Sequence, residues 1–474
     1  MNNKKYPFIQ AEETQTTIDF EGLVKVKVIS DPLVTEGSLY KKDQHFTPTA
    51  TAAPMVSSLQ AQLRPDLWEK DSFGLAHFRH EAKGKSSNYI EHYITSPDDI
   101  SLLPWDEALQ IVDKFGLTTA KLHLIFAAHS MRQQEPWLSF FTLSANDLIT
   151  ELGWDKRTDL TKNQKLNELA KAAFALGCLT IQATWVEGYR KNKITCSVET
   201  SRIWETAIKV KGSKLNLRGQ INLKDQIDKL DEVYITVRPG LWTLGFLNRA
   251  GAEAKKALYQ FGYLVQELLK IDPYHDDFAL RLGLNLTLES RFHTSGIYKV
   301  LTILETLLPK TVINEALENR DKARKLINRW NHALEVLSGL TRAFQIEFDS
   351  VSYPEALRPG SKARKPRGYF EQLLAAKITI LPPKPIPELL ANKTKPQLNQ
   401  PKSNPANQPK SSSESLKSEL TGTEIQNARK AKGWNQVKLA GFLGVSQAFI
   451  SQVEKGNRTF SKKMEAKVRK ILNL

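Results

Sequence analysis

The chain has 474 residues, 41% of them hydrophobic, and a formal net charge of +16, a length that suits two to four globular domains. It contains no apolar run long enough to cross a membrane, and only two cysteines, Cys178 and Cys196, which argues against a disulfide-stabilised scaffold. The N-terminus has no apolar segment behind its lysines, so we expect a cytoplasmic protein, bacterial in style.

The positive charge is concentrated in the last quarter of the chain. Residues 1–350 hold 44 Lys and Arg against 43 Asp and Glu, residues 351–419 hold 12 against 5, and residues 420–474 hold 11 against 3. A basic end on a neutral body is typical of proteins that bind nucleic acid or an anionic surface. For residues 351–419 alone, a solvated lysine-rich linker is an equally good interpretation.

Residues 1–60 are predicted to be largely flexible, because stretches such as residues 47–53 are low in complexity. Within them, residues 23–28 alternate with the period of a strand, which could pair with the later body.

Residues 61–220 are predicted to form a winged-helix-like domain. Helices are expected over 106–130, with a break at Gly116, and over 145–152 and 162–176, and strands over 140–143, 179–187 and 194–199. Ser144 is a predicted N-cap with Asp147 at the capping-box position, and Gly153 and Gly177 are predicted to end the two later helices. Strand, helix, turn, helix and hairpin follow in the order of a winged helix.

In a winged helix the second helix can enter the major groove while the hairpin tip reaches the flanking backbone. Basic side chains occur at both points, as phosphate contact requires. The candidate DNA contacts are Lys156, Arg157, Lys162, Lys165, Arg190, Lys191 and Lys193. A winged helix that serves only for dimerisation or protein docking is the alternative here.

Residues 221–350 are predicted to be a helix-rich second domain. Strands are expected over 233–237 and 341–348, and helices over 253–271, 276–285, 297–308 and 314–339, an order that fits a second winged helix and a plain helical bundle equally well. Residues 351–419 include eight prolines between Pro382 and Pro409 and are otherwise rich in Asn, Gln, Lys and Ser. This composition predicts a basic disordered linker. The predicted class is therefore mainly α with small β (α+β), followed by an all-α C-terminal domain.

Residues 420–474 are predicted to form four helices, over 424–432, 436–443, 447–455 and 461–472. The two central helices are joined by a short turn at Gly444, and apolar residues at 439, 443, 445, 450 and 453 face each other across it. This pattern predicts a helix-turn-helix corner.

The residues at 436–440, 444–446 and 450–458 resemble the phage repressor and Cro type of helix-turn-helix, the XRE family. The resemblance covers about an eighth of the chain, and it implies a DNA-binding domain. It implies that the exposed residues of the third helix contact base edges, since Gln can pair with adenine and Ala can touch a thymine methyl. These candidates are Gln447, Ala448, Ser451 and Gln452. It also implies that Asn435, Gln436, Ser446, Asn457 and Arg458 contact phosphates, and that Arg429 and Glu454 bridge the first and third helices.

The sequence lacks a phosphate-binding loop, a paired cysteine motif and two histidines flanking one apolar residue. His77, His80 and His92 are expected to be scattered surface histidines. We therefore expect no enzyme activity, no cofactor and no metal.

The expected partner is double-stranded DNA, contacted by a homodimer on the nucleoid or on a plasmid. In outline the body resembles winged-helix plasmid replication initiators. A non-catalytic replication initiator and a DNA-binding regulator are both open. In the alternative, the protein is a transcriptional repressor whose body only dimerises or senses a ligand or partner.

Overall fold

The computed structural model describes residues 17–20, 24–29, 31–40, 43–82, 84–96, 99–188, 193–212, 230–394, 422–432, 434–443, 445, 447–454, 465, 468, 469, 471 and 472. The chain divides into two compact units, residues 1–398 and residues 399–474. The first unit mixes helices and sheets and the second is helical, which confirms the predicted fold class. Across the described ranges, no helix combines the length and apolarity that crossing a membrane requires.

The N-terminal elements are integral to the first unit. They are β1 (Thr17–Phe20), β2 (Val24–Val28), β3 (Phe46–Ala50) and α1 (Ala53–Leu63). Strands β1 and β2 join one of the sheets of this unit, and residues of β3 and α1 are buried in its core. The strand expected over 23–28 is confirmed as β2. The prediction of flexibility is wrong for residues 43–60, because Thr49, Thr51 and Met55 are fully buried. The small side chains that make this stretch look low in complexity allow close packing.

The next part of the chain contains the predicted winged-helix order. Its elements are β4 (Glu69–Lys70), β5 (Ala76–Ala82), β6 (Lys85–Tyr93), α2 (Trp105–Val112), α3 (Leu117–Ser130), β7 (Phe141–Ser144), α4 (Ala145–Glu151), α5 (Lys162–Cys178), β8 (Thr180–Glu187), β9 (Ile194–Arg202), β10 (Trp204–Gly212) and β11 (Leu230–Pro239). The predicted N-cap Ser144 and the terminating Gly153 of α4 are confirmed, whereas the described residues show no reciprocal bond of the predicted capping box. Ser144 Oγ accepts the Asp147 N–H at 3.4 Å, and Gly153 has a left-handed φ of 72°.

Two five-stranded sheets contain these strands. One has the order β1-β2-β10-β11-β7 and the other the order β4-β5-β6-β8-β9. The predicted hairpin is present as β8 and β9, but β7 pairs with β11 and not with that hairpin. The predicted domain boundary after residue 220 lies outside the described residues. Strand β10 precedes this boundary and β11 follows it. Because the two strands pair in antiparallel fashion, the chain before and after the predicted boundary belongs to one sheet.

Gly177 has a different role from the predicted helix end. Helix α5 continues through it to Cys178 and packs against β10 and β11. A Cβ at Gly177 would lie 2.1 Å from Thr206 Oγ1 on β10, so only glycine permits this close approach of helix and sheet.

The long helix predicted over 253–271 is wrong. The structure has α6 (Trp242–Phe246), α7 (Arg249–Glu253), β12 (Phe261–Val265) and α8 (Gln266–Leu269). Lys255 adopts a positive φ of 58° just after α7, and β12 then pairs with β3. Because the partner strand lies some 200 residues earlier, helical spacing of apolar residues gave no sign of this pairing.

The remainder of the first unit follows the element order of a winged helix, and we call it the second winged-helix-like arrangement. Its elements are α9 (Asp277–Glu289), β13 (Ile297–Lys299), α10 (Val300–Leu307), α11 (Lys310–Glu318), α12 (Arg320–Gly339), β14 (Gln345–Phe348), α13 (Tyr369–Ala375), β15 (Lys377–Leu381) and α14 (Ile386–Thr394). The three strands form an antiparallel sheet in the order β13-β15-β14, with β14 and β15 as the wing that follows the long helix. This sheet favours the winged-helix interpretation over a plain bundle.

The predicted linker from residue 351 to 419 is therefore wrong over residues 351–394. β15 is the central strand of the sheet, and Ile378 and Ile380 on it are buried. Leu357, Phe370 and Leu373 are buried too. The charge and prolines of this region dominate its composition, whereas its few apolar residues are placed where they complete a core. Residues 395–419 lie outside the described residues.

Candidate nucleic-acid interface

Among its described residues, the second unit has three short helices around a small apolar core, and the predicted helix over 461–472 lies mostly outside the described residues. The three helices are α15 (Gly422–Ala431), α16 (Gln436–Leu443) and α17 (Gln447–Glu454). Their packing buries Ile425, Leu439, Ala440, Leu443, Ile450 and Val453, together with Val468 and Leu472. The Val445 N–H donates to the Ala440 carbonyl at 3.0 Å, which closes the corner between α16 and α17. The predicted turn residue Gly444 lies outside the described residues.

A buried ion pair ties α15 to α17. Arg429 Nε donates to Glu454 Oε1 at 2.6 Å and Arg429 Nη2 donates to Glu454 Oε2 at 2.8 Å. The two side chains are only 8% and 1% exposed. Arg429 Nη1 also donates to the Trp434 carbonyl at 2.6 Å. A bidentate geometry with an added backbone bond is the arrangement in which a buried pair fixes the orientation of two helices. The predicted bridge is confirmed.

The same carboxylate orients two glutamines at the junction of α16 and α17. Gln436 Nε2 donates to Glu454 Oε2 at 2.9 Å, and Gln436 Oε1 accepts from Gln447 Nε2 at 2.7 Å. Gln447 is exposed, while Gln436 is half-buried. A chain of hydrogen bonds thus runs from the buried ion pair to an exposed amide at the start of α17. It restricts the orientation of Gln447 before any ligand arrives.

The Glu454 carboxyl makes the second unit sensitive to acid. Burial raises the pKa of Glu454, but the hydrogen bonds from Arg429 and Gln436 and the charge of Arg429 outweigh it, so the pKa lies below its ordinary value. A carboxyl whose pKa is lower in the folded state adds stability above its unfolded pKa and loses it as the pH falls through the folded pKa. We expect amide-exchange protection in α16 and α17, corrected for intrinsic rates, to decrease as the pH falls below about 4.3. A Glu454→Gln variant should lack this acid step, and an identical step in that variant would contradict the assignment.

Residues 425–474 match a family model described as Helix-turn-helix. This segment is an XRE-type helix-turn-helix domain. No curated protein matches the chain. A crystal structure of domains 2 and 3 of RctB is similar over 69% of this chain and 98% of that chain, with 11% identity and a TM-score of 0.34. A TM-score this low does not establish a shared fold.

Two of the predicted base-reading residues are exposed in the helix-turn-helix domain. Gln447 and Gln452 are exposed on α17, and Ser451 is half-buried between them. Ala448 is on the same helix, but its side chain lies outside the described residues. Of the predicted phosphate contacts, Asn435 is exposed and Gln436 is held between Glu454 and Gln447. Ser446, Asn457 and Arg458 lie outside the described residues.

The candidate contacts of the predicted winged helix at 61–220 differ in their exposure. Lys165 is buried, and its Nζ donates to the Arg157 carbonyl at 2.6 Å, so its prediction as a DNA contact is wrong. Arg157 itself pairs with Asp159 at 2.6 Å. Lys156, Lys162 and Lys193 are exposed. Arg190 and Lys191 of the hairpin tip lie outside the described residues.

The three histidines expected at the surface, His77, His80 and His92, contact other residues of the first unit. His92, expected at the surface, is fully buried, with Nε2 2.6 Å from Ser57 Oγ and Nδ1 2.6 Å from the Thr180 carbonyl. Burial lowers the pKa of His92 to about 4, which keeps the ring neutral. His80 contacts Gln60 and His77 lies near Glu91. Over the described ranges, no three potential metal ligands come together.

Reasoning from the sequence missed two features of the candidate interfaces. The first is the hydrogen bond between Gln436 and Gln447, eleven residues apart, which depends on how α16 crosses α17. The second is the basic segment at 362–367, which falls in the predicted linker and lies in the wing of the second winged-helix-like arrangement. The signal that could have found it is the strand-like alternation of residues 377–381 just after it.

Proposed function

We propose that this protein binds double-stranded DNA in a sequence-specific manner through its helix-turn-helix domain. Helix α17 enters the major groove, where Gln447, Ala448, Ser451 and Gln452 contact base edges. The observation that carries this proposal is the hydrogen-bonded chain from Glu454 through Gln436 to Gln447, because it presents an amide in a fixed orientation on an exposed helix. The phosphate contacts are those at Asn435, Gln436, Ser446, Asn457 and Arg458.

The protein acts as a homodimer in this proposal. One small helix-turn-helix domain contacts few base pairs, and dimers of this kind bind two half-sites about one helical turn apart. We propose that the body supplies the dimer contacts.

The biological role proposed is that of a non-catalytic, plasmid-type replication initiator or a DNA-binding regulator. The observation that favours an initiator is the second winged-helix-like arrangement, since it gives the body a DNA-binding architecture of its own. The alternative is a transcriptional repressor whose body only dimerises or senses a ligand or partner. Footprints that extend beyond the half-sites of the helix-turn-helix domain would favour the initiator.

The base-reading role of α17 is tested with Gln447→Ala and Gln452→Ala in the full chain. A duplex selected from a random library serves as the specific target and a random duplex as the reference. Each substitution is expected to cost about 1–3 kcal/mol of binding free energy on the selected duplex, the usual value of one bidentate pairing with a base, and little on the random one. Asn427→Ala, an exposed polar residue on α15, is the matched control. Unchanged affinity of both glutamine variants for the selected duplex would falsify the proposal.

A further inference from the structure

An open groove with a volume of about 880 Å³ lies beside the long helix of the second winged-helix-like arrangement. We call it the basic groove. Its basic side chains are Arg320 at the start of α12 and Arg364, Lys365 and Arg367 in the wing, and Tyr369 lies at its edge. These residues have no part in the function proposed for the helix-turn-helix domain.

The wing is fixed against the long helix at this point. Tyr369 Oη donates to the Arg320 carbonyl at 3.1 Å, so the start of α13 is joined to the start of α12. Lys365 Nζ lies 5.7 Å from the centroid of the Tyr369 ring. Gly368, with a left-handed φ of 65°, turns the chain from the basic segment into α13. The basic side chains are therefore carried on an anchored loop.

The groove has an excess of positive charge that the protein does not neutralise. Arg320, Arg364, Lys365 and Arg367 are exposed, and within the described part of the chain no ion pair involves them. Glu318 and Glu371 also line the groove, which leaves four basic groups against two acidic ones. By contrast, Lys322 and Arg324 on the neighbouring surface of α12 pair with Glu315 at 2.9 Å and Asp321 at 3.2 Å. Four exposed cations around one groove favour an anionic ligand.

The geometry points to the phosphate backbone of double-stranded DNA as the ligand of the basic groove. The four cations are gathered around one open groove at the start of α12, an arrangement that suits the closely spaced phosphates of a duplex. A single strand is a poorer fit, because its bases stack on exposed aromatic rings, and Tyr369 is half-buried and bonded to Arg320. The first unit thus has a DNA contact of its own, in addition to the one proposed for the helix-turn-helix domain.

The test is a triple variant of the full chain, Arg364→Ala, Lys365→Ala and Arg367→Ala, with a random 30-base-pair duplex as the probe. Affinity is measured at several salt concentrations. We expect weaker binding, and a fall of about 1 in the slope of log affinity against log salt for each phosphate that the variant no longer neutralises. The matched control is Lys70→Ala, Lys85→Ala and Lys256→Ala, which removes the same charge from other exposed positions. A variant of the intact chain with Arg364→Lys and Arg367→Lys keeps the charge of the loop. The slope of log affinity against log salt should then equal that of the unchanged protein.

The outcomes separate this proposal from the proposed function. The triple variant should bind selected and random duplexes more weakly by the same factor, whereas the Gln447→Ala and Gln452→Ala variant should lose only the preference for the selected duplex. Equal affinities and slopes for the triple variant and its lysine control would overturn the basic groove as a DNA site. Tighter binding of the intact chain to a single-stranded RNA of the same length or to anionic vesicles, abolished in the triple variant, would overturn it as well.

Discussion

An Ile378→Ala substitution is expected to lower the free energy of unfolding of the first unit by about 2–5 kcal/mol, as is usual for truncating a buried isoleucine. Ile378 is fully buried on the central strand β15, opposite Tyr298 on β13 and Phe348 on β14. A disordered linker would give no change at all. Urea denaturation measures the free energy of unfolding. Amide exchange of the peptides that cover residues 345–348 and 377–381 reports where the protein loses protection.

The control for this substitution is its neighbour on the strand. Thr379 is half-buried and points to the opposite face of the sheet, so Thr379→Ala should cost much less. If Ile378→Ala and Thr379→Ala had equal and small effects, residues 377–381 would not be part of the core, and the second winged-helix-like arrangement would be wrong.

An Arg429→Met substitution is expected to destabilise the helix-turn-helix domain by about 3–5 kcal/mol, because it leaves the Glu454 carboxylate buried without its partner. A domain of about fifty residues has little stability in reserve, so the variant domain should be mostly unfolded at room temperature. Amide exchange of the α16 and α17 peptides in the full chain reports this effect directly, while the peptides of the first unit should keep their protection.

A double variant distinguishes the ion pair from the packing around it. Arg429→Met with Glu454→Met removes both charges, and replacing a whole buried pair with apolar groups is often close to neutral. The double variant should therefore recover much of the stability that the single variant loses. If the double variant were as unstable as the two single changes added together, the pair would not be coupled as its geometry indicates.

Features decided by neighbouring residues could be predicted from the sequence. The cap at Ser144, the left-handed Gly153 and the helix-turn-helix corner all depend on residues within one or two turns of each other. The error at residues 253–271 and the supposed linker have another cause, since the places of β12 and β15 in their sheets depend on strands far away in the sequence. Gly177 illustrates the same limit, because its role depends on Thr206 of another element.

The candidate site was predictable in part for the same reason. The family resemblance selected Gln447 and Gln452 and the pair of Arg429 and Glu454, and the structure brings these residues to the expected helices. It gave no indication that Gln436 connects the buried pair to Gln447. In the body, the predicted winged-helix order selected Lys165, which is buried, and overlooked the basic groove, because the order of elements and charges along a sequence does not report which side chains share a surface.

The central claim is that α17 reads DNA sequence, and the most direct measurement is selection of duplexes from a random library by the full chain and by its Gln447→Ala and Gln452→Ala variant. The intact chain should enrich a short motif, repeated at a spacing of about one helical turn if it binds as a dimer. The variant should enrich no motif or one altered at the positions that the two glutamines contact. Enrichment of the same motif by both proteins would contradict the account.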